Sequence, residues 1–224
     1  MPNLMAIGTN FPRRINMYVP AMAYSSDVNY NGATRVNFGA PAAANATAIG
    51  NAVSIASGTQ ADLSSAPAIA DPFGRNITVV ASGANATAVV FYGWDYLGQP
   101  IAESITLNGA TPVAGNKCFK AFNYFTYTAA GVTLNIGTGL KLGLPYKTIR
   151  CAYEIGNGAL VAAGTLQAPS LVDPQTNTTT DPRGAYTTTT TMNGANIISA
   201  AFDCVNDVNT SNHGGLHGLQ QAAA

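Results

Sequence analysis

Charge is what this sequence has least of. Its 224 residues include 10 Lys plus Arg and 10 Asp plus Glu, so charged side chains make up 9 % and cancel to zero. An average soluble domain carries about 25 %. Without a basic excess nothing displaces counterions from a phosphate backbone, which excludes binding to free nucleic acid. With 47 % hydrophobic residues the chain is not a solvating disordered polymer either. No run approaches the roughly 20 apolar residues of a membrane helix, so no membrane partner is expected.

Other scarcities narrow the chemistry. The three cysteines, Cys118, Cys151 and Cys204, lie far apart, with no C-x-x-C pair and no histidine close by. That pattern opposes a zinc site. The thiols read as free and buried, with one bridge left open as the alternative. The first residues lack the basic start and apolar core of a signal peptide, so the five N-x-Ser/Thr patterns at Asn45, Asn76, Asn85, Asn177 and Asn209 read as chance in an Asn- and Thr-rich chain. His213 and His217 are the only histidines, and the glycines around them oppose a metal-binding helix. A Ser-His-Asp or Cys-His mechanism would have to hold its base on that segment. No metal and no cofactor is expected.

Ala, Thr, Asn, Gly and Ser stand in place of charge. A neutral surface with so few charges is poorly protected against association, so assembly with partners is expected, a soluble monomer with a Thr/Asn/Ser surface being the alternative.

Along the chain, residues 1–70 show no hydrophobic period but contain Pro2, Pro12, Pro20, Pro41 and Pro67. They read as an extended N-terminal arm. Arg13, Arg14, Tyr18, Tyr24, Tyr30, Arg35 and Phe38 are its candidate interface residues, and the Ala-rich stretch 42–55 is a weak candidate for a short helix. Residues 71–206 read as short strands with turn signals every 8 to 12 residues or so. The expected class is all-β, an antiparallel β-sandwich of jelly-roll or immunoglobulin-like kind. Ile101, Glu103, Ile105 and Leu107 alternate onto one side of a strand, and Asn108-Gly109 reads as a hairpin turn. The stretch 119–127 reads as one strand with aromatics on both faces, which adds Phe122 and Tyr124 as interface candidates. The unbroken Thr run 187–191 suits a strand, and 207–224 read as a C-terminal tail.

The order Asp71-Pro-Phe-Gly74-Arg75, Gly93-Trp-Asp95-Tyr-Leu-Gly98-Gln-Pro-Ile-Ala-Glu103, Gly115-Asn-Lys117-Cys-Phe119 and Gly137-Thr-Gly139-Leu-Lys-Leu-Gly143-Leu-Pro145, followed by Asp181-Pro-Arg183-Gly-Ala-Tyr186, resembles a β-sandwich module of tailed-bacteriophage virion proteins. The match covers a little over half the chain, and each segment by itself is turn chemistry. The resemblance implies a non-enzymatic head decoration or cement protein. Such a protein is made in the host cytoplasm, carried on the capsid surface, associated with itself as a homotrimer, and bound to the major capsid protein. A tail, collar or head–tail connector component is the alternative.

Three further patterns compete with that reading. Gly137-x-Gly139-x-x-x-Gly143 is one residue too long for a dinucleotide fingerprint, and Pro145 prevents the helix that would have to follow. Glycines at tight turns are the expected reading. Asp95 and Glu103 could approach across a hairpin as a carboxylate pair. The plainer expectation is that Asp95 caps its turn and Glu103 pairs with a lysine or lines an interface. A carbohydrate-binding sandwich would show several exposed Trp or Tyr. With Trp94 as the single Trp, set beside Val89, Val90, Phe91 and Tyr92, core or interface packing is expected for it.

Overall fold

The computed structural model describes residues 33–54, 60–127, 132–169 and 180–204. The described chain is all-β, and every strand pair is antiparallel. In chain order the strands are β1 (Ala33–Gly39), β2 (Asn45–Ser54), β3 (Gln60–Asp62), β4 (Arg75–Ala81), β5 (Ala88–Trp94), β6 (Pro100–Thr106) and β7 (Val113–Phe119). They continue as β8 (Ala121–Tyr127), β9 (Thr133–Gly143), β10 (Thr148–Gly156), β11 (Ala159–Val161), β12 (Thr165–Gln167), β13 (Ala185–Thr187) and β14 (Ile198–Cys204).

Three sheets result. The first runs β1-β14-β10-β11, the second β12-β13-β9-β4-β7 with β2 also on β9, and the third β3-β8-β5-β6. The second and third sheets face each other across a core that includes Ile77, Val79, Val89, Phe91, Ile105, Phe125, Leu134 and Ile136. The first sheet closes over the other end of the second through Phe38, Leu142, Tyr186, Ile198 and Phe202. The eleven residues of β9 enter both cores, Leu134 and Ile136 in one and Leu142 in the other, which makes β9 the spine of the fold.

Period-2 alternation explains the central strands. In β5 and β6 alternate residues are buried, and the side of β6 carrying Ile101, Ile105 and Leu107 takes Glu103 inward with it. The two D-P-x-G segments form matching turns. Gly74 N–H donates to Asp71 C=O and Gly184 N–H to Asp181 C=O, both at 3.1 Å, with each glycine at positive φ.

Several expectations are corrected. Residues 33–54 and 60–69 are not an arm. β1, β2 and β3 join three different sheets, and Ile49, Leu63 and Ile69 enter the core. The sandwich therefore does not begin at residue 71. The Ala-rich 42–55 stretch holds strand β2, because a pairing edge on β9 outweighs weak helix propensity. Asn108-Gly109 does form a tight turn, closed by one antiparallel bridge between Asn108 and Thr111, but it joins no paired strands, since β6 pairs with β5 and β7 with β4, and the turn passes the chain between sheets. Residues 119–127 are likewise two strands, β7 ending in the second sheet and β8 beginning in the third. Only Thr187 of the Thr run lies in a strand. The expected tail at 207–224 and both histidines lie outside the described residues.

Candidate functional site

Two groupings of chemistry-bearing side chains stand out, one buried and one open. The buried one is ionic. Arg183, fully enclosed, donates from Nη1 to Asp95 Oδ2 at 2.6 Å, and its guanidinium lies 4.7 Å from the centroid of the Tyr96 ring. Asp181 accepts from the backbone N–H of Cys118 and of Arg183, each at 2.9 Å. Asp95 Oδ1 also accepts from the N–H groups of Leu97 and Gln99, so it caps its turn as expected. Burial pushes the Asp181 carboxyl up against the opposing pull of Arg183.

Glu103 extends this interior. Its Oε1 accepts from the N–H of Asn116 at 2.5 Å and of Lys117 at 3.3 Å, while Oε2 has no hydrogen-bond partner among the described residues. Burial pushes its pKa up to about 7, against the two backbone donors and the Lys117 charge. Lys117 Nζ donates to Ala102 C=O at 2.7 Å. Arg75 works the same way nearby, donating to Gly139 C=O at 2.6 Å and Ala42 C=O at 2.7 Å. These groups join β4, β6, β7, β9 and the loops between them. Asp95 and Glu103 are 5 % and 2 % exposed and are each committed to such bonds, so they do not share an open cleft.

Another buried carboxylate, Glu154, accepts from Tyr186 Oη at 2.7 Å and from the N–H groups of Thr189 at 2.9 Å and Thr190 at 2.7 Å. Burial raises its pKa, but these hydrogen bonds outweigh burial and leave it lowered. Cys118 is buried and Cys151 half-buried, and both are free thiols that burial pushes up, which makes them poor nucleophiles. Among the described residues no group of three or more His, Cys, Asp or Glu converges as a metal site.

The glycines of the 137–143 stretch sit inside β9 and not at turns. A Cβ on Gly137 would lie 2.0 Å from Asn45 O, and one on Gly143 would lie 2.0 Å from Phe73 O. Close approach, of backbone at Gly137 and Gly143 and of the Asn76 side chain at Gly139, explains them and leaves no phosphate cradle.

The open grouping lies on the outer face of the third sheet. Tyr92, Trp94, Pro100, Ala102, Asn123 and Tyr124 line a groove of about 320 Å³ floored by Gly93 and Ile101. Tyr92 and Tyr124 are paired across β5 and β8, with ring centroids 4.5 Å apart and planes 23° from parallel. Trp94, 37 % exposed, lies two residues along β5 on the same face. The β5–β8 register shifts between Tyr92 and Gly93, whose partners are Tyr124 and Phe122, so Asn123 is the extra residue of a bulge. A bulge re-aims the side chains around it. Phe122 turns inward, 3 % exposed, while Tyr124 stays on the outer face.

The predicted interface residues therefore separate. Tyr124 lies on the groove. Phe122 stacks on Phe119 in the core and Phe38, 2 % exposed, stacks on Tyr186, so neither is available to a partner. Arg35 is exposed and donates to Ser199 Oγ at 2.8 Å from Nη2 and 3.0 Å from Nε. Arg13, Arg14, Tyr18, Tyr24 and Tyr30 lie outside the described residues. Sequence reasoning passed over Tyr92 and Asn123 and gave Trp94 core or interface packing; its 37 % exposure takes it out of the core. The spacing of Tyr92 and Trp94 at i and i+2, opposite the buried Phe91, was the available signal. In comparisons with known proteins the chain matches no family model, no curated protein and no solved structure.

Proposed function

We propose that the chain is a non-enzymatic structural protein of a phage particle, of the head decoration or cement kind, that associates with itself as a trimer on the major capsid protein and clamps neighbouring capsomers. The observation that carries this reading is how the few charges are used. Arg75, Lys117, Arg183, Asp95, Asp181 and Glu103 are all buried in bonds that brace the sheets. The surface is left poor in charge, and Trp94, Leu97, Leu140, Ile149, Leu160 and Ile197 are exposed on it. A rigid, neutral exterior of this kind suits lasting contact with other subunits. The ordered turn segments that resemble virion modules support the same reading.

Quantitative mass spectrometry of purified particles from the source of the chain tests it. Copies in the hundreds per particle are expected, and a single ring of about six or twelve would assign the chain to the tail, collar or connector. Absence from purified particles would overturn the virion reading altogether.

A further inference from the structure

We infer that the groove on the outer face of the third sheet is a binding site for a neutral sugar, of mono- or disaccharide size. The inference stands independently of the virion reading. Its volume of about 320 Å³ falls at the lower end of the roughly 300–1,000 Å³ of small-molecule sites. The lining supplies the two kinds of contact that a pyranose needs. The C–H face of a sugar ring is apolar and stacks on an aromatic face, which Trp94 and the Tyr92–Tyr124 pair present. Its hydroxyls both donate and accept, as do a carboxamide and a phenol. Among the described residues no hydrogen-bond partner reaches the Asn123 carboxamide or the Tyr92 and Tyr124 hydroxyls. The bulge that turns Phe122 into the core brings Asn123 to the groove.

Charge selects the class of sugar. None of the lining residues is charged. The nearest acid in register is Asp62, paired with Tyr124 across β3 and β8 and exposed. Its carboxyl is held below the usual range by the N–H and side chain of Ser64, so it is ionised at neutral pH. An anionic sugar would be repelled, and a neutral one would not.

Trp94 is the only tryptophan of the chain, so its emission reports on the groove directly. The full chain is titrated with maltotriose, cellotriose, triacetylchitotriose and galactobiose, with sialyllactose as the anionic control. A saturable change with at least one neutral sugar, and a markedly weaker one with sialyllactose, is expected. For the sugar that binds, Tyr124→Ala and Asn123→Ala are each expected to weaken binding about tenfold, the effect of losing one stacking or hydrogen-bond contact. Tyr92→Phe keeps the ring and is expected to cost less than Tyr92→Ala. Each variant's thermal transition is compared with the parent's, so that misfolding is seen as such. No response to any neutral sugar would overturn the inference. So would emission that depends on protein concentration and not on sugar, because that assigns the groove to a second copy of the chain.

Discussion

At Arg183 the interior charge is balanced by position and not by number. Its Nη1 contact with Asp95 and its approach to Asp181, 3.9 Å from Nε to Oδ1, occur where neither carboxylate meets bulk water. Removing one partner strands the others, and such losses are about 3–5 kcal/mol. Asp95→Ala is therefore expected to lower the unfolding free energy by that amount in urea titration, far more than replacing the exposed Arg35. Glu103 makes a different statement. Its pKa rises from 4.5 unfolded to about 7 folded, so between those values the folded chain holds more protons. Its contribution is complete below the unfolded value and is lost as pH rises through the folded one. At about 1.4 kcal/mol per pH unit, the total is about 3 kcal/mol. Asp181, raised by its own burial, slopes the same way, and Glu154, lowered, slopes the other way. Stability curves measured from pH 4 to 8 are expected to fall less steeply for Glu103→Gln than for the parent. Parallel curves would mean that Glu103 titrates alike in the folded and the unfolded chain.

Among the elements, β9 is the least tolerant of change. β4 pairs along it from Leu134 to Leu142, while β2 pairs with its first half and β13 with its end. Gly137 lets the backbone of residue 45 lie against it. Gly137→Ala is expected to push β2 off the sheet at a cost of about 3 kcal/mol or more, seen as faster amide exchange in β2 and a lower thermal midpoint. Gly98 provides the comparison. A Cβ there meets open space, but its φ of +77° is unfavourable for alanine, so Gly98→Ala is expected to cost only about 1–2 kcal/mol. The β7–β8 junction shows why 119–127 misreads as one strand. Lys120 donates its backbone N–H to Trp94 C=O and its Nζ to Ile69 C=O, which fixes a corner where the side-chain period restarts in another sheet.

For the whole molecule, the early strands belong to the core. A chain starting at Leu63 loses β1, β2 and β3, and with them Phe38 from its stack on Tyr186 and Phe202 and Ile49 from the sandwich. It is expected to lose cooperative unfolding and to bind an apolar dye. A truncated chain that still melts with the parent's transition would show that these strands are dispensable.

Local chemistry was enough for much of this. Alternation over 101–107 specified a strand and its buried side, even for Glu103, because a strand's side-chain period leaves no freedom once one face is apolar. The Asx cap at Asp95 and the D-P-x-G turns were equally legible, since their hydrogen bonds close within five residues. Partner choice was not. Whether the Asn108-Gly109 turn joins paired strands, whether β1 to β3 lie in sheets or outside them, and which carboxylate meets Arg183 88 residues away all depend on contacts between distant segments. The aromatic groove belongs with these. One extra residue at Asn123 sends Phe122 inward and leaves Tyr124 beside Tyr92, and a bulge exists only relative to the strand it is paired with.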